Sequence, residues 1–161
     1  MPRLSSETKL CAPQDLPARA QALARPVVFT NGVFDILHRG HVTYLEEARA
    51  LGAALVVALN SDASVKRLGK GDDRPINSLE DRMAVISALQ CIDLVTWFEE
   101  DTPLQCIIGA RPDVLVKGGD WQIEKIAGAA EVRSWGGSVY AIPFQFERST
   151  SATLARIRNA K

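Results

Sequence analysis

Both histidines of the chain, His38 and His41, lie three residues apart in the stretch FTNGVFDILHRGH, directly after an apolar run. Imidazoles at that spacing share one face of a helix start and can aim ring N–H groups at the same anion. A helix start adds unpaired backbone N–H groups and about half a positive charge, which together attract phosphate. Gly32 permits a tight turn that presents backbone N–H groups, and Gly40 leaves no side chain above the first helical turn. A bare HxxH is more simply two packed histidines; the two glycines and the strand-to-helix context favour the anion. Asp35 has two readings, as a direct contact to nucleotide or metal and as a cap on the loop that carries His38.

Further polar clusters recur at intervals. Lys117 ends an apolar run, a costly place for a charge without a partner. Gly118 and Gly119 after it allow backbone to approach a base or ribose, and Asp120 can accept from ribose hydroxyls. Asn60 and Asp62 end another apolar run, and the long segment behind them, 62–77, carries Lys66, Arg67, Lys70 and Arg74. Arg148-Ser149-Thr150-Ser151 precedes a final helical pattern, where Ser or Thr caps free N–H groups. No Ser or Cys motif for covalent catalysis accompanies these groups.

The elements that must position these groups follow from periodicity. Strands are expected over Val27–Thr30, Ala54–Asn60, Asp93–Phe98, Val114–Lys117 and Ser138–Pro143. Helices are expected over Gly40–Leu51, Ser78–Leu89, Asp101–Gly109, Glu124–Trp135 and Ser149–Arg158. Gly52 follows the first, Ser78-Leu79-Glu80-Asp81 resembles a capping box with Asp for Glu, and Gly136-Gly137 stops another. Segment 62–77 reads as one long functional loop. The alternation predicts a single α/β domain: a doubly wound five-stranded parallel sheet in the order 3-2-1-4-5, with right-handed crossovers. Ligands of such sheets bind beyond the carboxyl ends of the strands where the order reverses, and the polar clusters fall there. Residues 1–25 read as an N-terminal extension with a short amphipathic helix on Leu16, Ala20, Leu23 and Ala24, ended by Pro26; the domain proper spans 26–161.

Composition narrows the partners. The 161 residues carry 19 basic and 19 acidic side chains, so no positive field holds a polyanion, and no nucleic-acid partner is expected. Cys11, Cys91 and Cys106 lack ligand spacing and read as reduced thiols of a cytoplasmic protein. The longest apolar run, 53–59, falls far short of the ~20 residues of a membrane span, so no membrane association is expected. Trp97, Phe98 and Trp135 sit in strand or helix patterns and read as core or interface rather than as base-stacking platforms.

The stretch GVFDILHRGH resembles the HxGH signature of the nucleotidyltransferase superfamily, in its cytidylyltransferase-like branch. Together with LNSDASVKRLGKGDDRPIN, DVLVKGGDW and RSTS it is similar, from about Lys9 to Arg158, to the heptose-phosphate adenylyltransferases. The resemblance implies a Rossmann-like fold and transfer of AMP from ATP to D-glycero-D-manno-heptose 1-phosphate, with pyrophosphate released, for the lipopolysaccharide inner core. It implies a catalytic role for His38, His41 and Lys117. It places ATP against Thr30, Asn31, the Gly32-Val33-Phe34 backbone, Asp35, Gly40, Gly118, Asp120 and Arg148-Ser149-Thr150-Ser151. It places the sugar phosphate near Asn60, Asp62, Lys66, Lys70, Arg74 and Lys125, with Lys125 on the acceptor's phosphate. Mg²⁺ is expected to ride on the triphosphate, because no carboxylate cage is visible and no protein metal site is expected. The resemblance also implies a homodimer. A glycerol-3-phosphate cytidylyltransferase and a noncatalytic nucleotide-sensing module stay open as alternatives.

Overall fold

Runs of β-branched and other apolar residues form five strands: β1 (Val27–Gly32), β2 (Ala54–Asn60), β3 (Leu94–Phe98), β4 (Val114–Gly118) and β5 (Ser138–Ile142). The computed structural model describes residues 4–69, 71–146 and 149–160; the expected site residues Lys70 and Arg148 lie outside them. All pairings between these strands are parallel and the order is β3-β2-β1-β4-β5, as the alternating pattern predicts. Among the described residues, seven α-helices cross between or flank the strands: α1 (Leu16–Gln21), α2 (Arg39–Arg49), α3 (Asp62–Arg67), α4 (Leu79–Ser87), α5 (Leu104–Ala110), α6 (Ala129–Ser134) and α7 (Thr150–Asn159).

The central strands are buried on both faces, which is why they read as unbroken apolar runs rather than alternations. Val27, Phe29, Val56, Ala58 and Leu115 face a core shared with Leu16 and Ala20 of α1, Ile107 of α5 and Val132 of α6. Val28, Leu55, Val57, Leu59 and Val116 face the opposite core, with Leu45 and Ala48 of α2 and Ile86 of α4. The segment before β1 joins this packing. Leu10 bridges Val95 in parallel, and the Cys11 N–H donates to the Val95 carbonyl at 2.8 Å, so the chain start covers the β3 edge.

Two expectations about elements are corrected. Segment 62–77 is not all loop, since α3 occupies its first six residues. Ser61 caps α3, accepting from the Ser64 N–H at 3.1 Å, and Val65 is buried beneath it. The helix expected over Glu124–Trp135 is divided into a 3-10 turn at Ile123–Lys125 and α6, because Gly128 takes φ +86° between them. The Ser78 signal holds: its Oγ accepts from the Asp81 N–H at 3.2 Å and donates to the Asp81 carboxylate at 2.9 Å.

The sheet opens where its order reverses. β1 pairs with β2 as far as Gly32, but with β4 only through Phe29 and Leu115, while β4 continues along β5 to Gly118. Beyond Phe29 the two central strands part, and the gap holds the polar residues at their ends.

Candidate active site

His38 is the N-cap of α2 in extended conformation, and its carbonyl accepts from the His41 N–H at 3.0 Å. The helix start therefore places both imidazoles on one wall, stacked with ring centres 3.8 Å apart and planes inclined by 18°. The Phe34 ring meets His41 edge-on at 5.2 Å. Burial first, and the neighbouring His38 second, lower the His41 pKa from 6.5 to about 4. The ring is therefore neutral near pH 7, and its Nδ1 is buried with no hydrogen-bond partner among the described residues. An orphaned nitrogen in a cleft wall is what a ligand oxygen satisfies.

The glycines serve this wall differently from expectation. The residue with left-handed backbone is Phe34, at φ +48°, not Gly32, which continues β1. Gly32 is required because a Cβ there would come within 2.8 Å of the Phe34 ring. Gly40 likewise leaves room for the His38 ring, 3.1 Å from where its Cβ would stand.

A cleft of about 510 Å³ runs from the histidines past Asn31, Lys117 and Gly118 to the start of α7, where Ser149, Thr150 and Ser151 line it. Ser149 caps α7, accepting from the Ala152 N–H at 3.0 Å, and Thr150 Oγ1 donates to the Ile36 carbonyl at 3.3 Å. Two helix starts thus face one cavity, a favourable field for a polyanion. A second cleft of about 430 Å³ adjoins it, sharing Asn31, Gly32, Val33, Lys117 and Trp121. Asn60 and Lys125 line the second cleft only. Lys117 stands at the junction, its Nζ donating to Asn31 Oδ1 at 3.3 Å.

Asp35 is turned to the protein. Its buried carboxylate accepts from Arg74 Nε at 2.7 Å and from the N–H groups of Ile76 and Asn77 at 2.9 and 2.8 Å. Burial works against its charge, yet the N–H groups of Asn77 and Ile76, with Arg74, outweigh it and hold the pKa below the usual carboxylate value. Of the two readings of Asp35, anchoring the loop thus describes its partners, although the anchored segment is 74–77 rather than the one carrying His38. Arg74, bound in this way, still lines the first cleft.

Other expected contacts are placed elsewhere. Thr30 is buried beneath the cleft, sharing a hydrogen bond with the Tyr44 hydroxyl. Lys66 and Asp120 are exposed and line neither cleft. Asp62 pairs with Arg82 at 2.7 Å. Gly118, by contrast, lines the first cleft, although a Cβ there would meet protein, 2.7 Å from the Phe144 ring and 3.2 Å from Tyr44.

Three participants were not anticipated. Trp121 and Phe144 line the first cleft with half-exposed rings. Arg82 has a side chain with 0% exposure and donates to the carbonyls of Asn77 (3.0 Å), Val33 (2.9 Å) and Asn60 (2.9 Å). It ties the ends of β1 and β2 to the start of α4. Its one sequence signal is a charge four residues before Ile86, on the buried stripe of an amphipathic helix.

Among the described residues no cluster of acidic, His or Cys side chains could hold a metal ion, and no helix is long and apolar enough to cross a membrane. The cysteines are buried or half-buried, and burial pushes the Cys106 thiol up to about 12.

A family model described as cytidylyltransferase-like matches residues 29–158. The chain is 58% identical over 154 residues to D-beta-D-heptose 1-phosphate adenylyltransferase of Bordetella bronchiseptica, covering 94% of this chain and 95% of that one. It is 54% identical over 144 residues to the bifunctional protein HldE of Escherichia coli, spanning 89% of this chain but 30% of that protein. Among solved structures, a lipopolysaccharide core biosynthesis protein from Thermoplasma volcanium superposes with TM-score 0.61 at 31% identity, over 76% of this chain and 98% of that one. A pantoate-beta-alanine ligase from Francisella tularensis shares the fold, with TM-score 0.62 at 12% identity over 88% of this chain and 68% of that one.

Proposed function

The chain belongs to the cytidylyltransferase-like family, and from that premise we propose that it transfers AMP from ATP to D-glycero-D-manno-heptose 1-phosphate, giving ADP-heptose and pyrophosphate for lipopolysaccharide biosynthesis. The observation that carries this reading is the joined pair of clefts with Lys117 at their junction. The near full-length similarity to an enzyme named for heptose 1-phosphate adenylyl transfer supplies the substrates.

ATP occupies the first cleft. His38, His41 and the start of α7, with Ser149, Thr150 and Ser151, face its triphosphate, and the Gly32-Val33-Phe34 backbone runs alongside. The sugar phosphate occupies the second cleft, with Asn60 and Lys125 on its walls. Its phosphate oxygen attacks the α-phosphorus in line, the bond to the β-phosphate oxygen breaks, and pyrophosphate leaves. Two anions must approach, so the protein's work is positioning and charge compensation. Lys117 faces both clefts and offsets that repulsion where the phosphates meet. His41, neutral when free, donates its ring N–H to a pyrophosphate oxygen as negative charge gathers on the leaving group. No covalent step is needed, and the raised thiol of Cys106 offers no nucleophile.

Mg²⁺ enters as part of the MgATP substrate. The cleft's nitrogen and hydroxyl donors suit phosphate oxygens rather than a hard cation, and the Asp35 carboxylate is taken by Arg74. A homodimer in the cytoplasm belongs to the same reading.

Pyrophosphate release separates the candidates: ATP and CTP are each supplied with heptose 1-phosphate and with glycerol 3-phosphate. Turnover with ATP and heptose 1-phosphate is expected. Preference for CTP with glycerol 3-phosphate would overturn the assignment, and no release with any pair would reduce the protein to a nucleotide-binding module.

A further inference from the structure

Trp121 is the aromatic residue that lines both clefts, with 47% of its surface exposed. An exposed indole in a cavity wall is an apolar surface held ready for a ligand. Its polar end is already engaged, because Nε1 donates to the Gly118 carbonyl at 3.2 Å. That bond fixes the ring and leaves its faces to do the recognising. Gly119, at φ +104°, makes the turn that brings the indole back over the end of β4. The Lys117 ammonium lies over the ring, 5.6 Å from its centre, so a cationic group shares the cleft with the apolar plate.

The two ends of the paired clefts differ in what they fit. Phe144 lines the first cleft alone, meets Tyr44 edge-on at 5.7 Å and packs against Gly118. The nucleotide side therefore has an aromatic ring of its own. The second cleft sets Phe98, Pro103 and Ile126 against the polar groups of Asn60, Asp101 and Thr102. A pyranose has that same division, with a face of C–H groups and a rim of hydroxyls.

Resting on the adenylyltransferase reading above, we infer that Trp121 is a specificity-determining residue for the acceptor: its indole face stacks on the pyranose ring of the sugar 1-phosphate while Lys117 beside it meets the phosphate. A fixed ring loses little freedom on binding, so the contact selects a cyclic acceptor over an open-chain one at low entropic cost.

The test compares the parent with Trp121→Phe and Trp121→Ala in steady-state pyrophosphate release, varying ATP and heptose 1-phosphate in turn. Loss of an apolar surface of this size from a binding contact typically weakens it roughly 10- to 100-fold. Trp121→Ala should raise KM for heptose 1-phosphate by that factor with KM for ATP within about threefold of the parent, and Trp121→Phe should restore most of the loss. Parent indole emission should change on adding heptose 1-phosphate, and that change should vanish in Trp121→Phe, where Trp97 and Trp135 remain. A larger rise in KM for ATP than for the sugar would make Trp121 a nucleotide contact and overturn the inference. Unchanged constants for both substrates, or an emission change that survives in Trp121→Phe, would overturn it also. Parent activity with a different sugar 1-phosphate would correct the substrate; a raised KM for that sugar in Trp121→Ala would then support the stacking, and an unchanged one would overturn it. Parent activity only with an acceptor lacking a ring would refute both readings.

Discussion

Replacing Arg82 with methionine keeps a long unbranched side chain in the same space and removes every donor. Four acceptors lose a partner: the carbonyls of Asn77, Val33 and Asn60 and the carboxylate of Asp62. Asp62 is 44% exposed and recovers water, so it contributes little to the loss. The Asn60 carbonyl is buried against this side chain, whereas the Val33 and Asn77 carbonyls are only part-buried and recover some water. A buried acceptor left unsatisfied costs about 1–3 kcal/mol, a large share of the ~5–15 kcal/mol that holds a typical domain. Urea denaturation should show a lower midpoint at unchanged slope, and Tm should fall by about 2–12 °C. Arg82→Lys should fall between, because an ammonium cannot span acceptors arranged for a planar fork. Val33 lines both clefts and Asn60 the second, so kcat/KM should drop for both substrates at temperatures where the variant is still folded. A methionine variant with parent-like midpoint and parent-like kcat/KM would refute the claim that this arginine sets the strand ends.

His38→Ala and His41→Ala should each lower kcat and kcat/KM together by roughly 10²–10³, the usual loss for one donor to transition-state charge, and near-parent kcat in folded variants would make the rings structural. Gly118→Val should raise KM for ATP by displacing the Phe144 and Tyr44 rings that its side chain would meet, so parent-like ATP affinity in the variant would count against that packing. His41 has a folded pKa of about 4 against an ordinary 6.5, so as pH falls the unfolded chain binds the proton first. Its contribution to stability is therefore full above 6.5 and declines towards about 4, and His41→Asn should flatten the Tm profile in that window. ATP binding near pH 6 should take up protons as the triphosphate raises the imidazole pKa, a quantity read by calorimetry in buffers of differing ionisation enthalpy.

Much of the architecture was legible in the sequence because its signals are local. Apolar runs bounded by Gly and Pro marked the strands, and the Ser78 cap and the glycines after α2 and α6 marked helix ends. Parallel strands with helical crossovers then left few topologies, and the observed order is among them. The shared wall of His38 and His41 was legible for the same reason, since spacing along one helical turn puts both rings together. Elements with weak local signals were misread. Six-residue α3 is too short to show a period and lies in a charged segment, while Gly128 divides what reads as one helix.

Only the tertiary structure decided which charged groups face the clefts and which are held by protein partners. Asp35 is claimed by Ile76 and Asn77, 41 and 42 residues away, and Lys117 meets Asn31 across 86 residues. The sequence around Asp35 offers nucleotide contact and loop anchor equally; the fold turns its carboxylate to Arg74 and the 74–77 backbone. The clefts themselves exist because β1 and β4 part after Phe29 and Leu115, a consequence of strand register. Arg82 and Trp121 depend on the same cause. A charge on a helix stripe and an aromatic after a Gly-Gly turn have ordinary local meanings, and their roles arise from carbonyls and cavity walls supplied by distant strands. Local sequence fixes backbone conformation through short-range sterics and caps, whereas a side chain's partner is chosen by what long-range packing brings within about 3 Å of it.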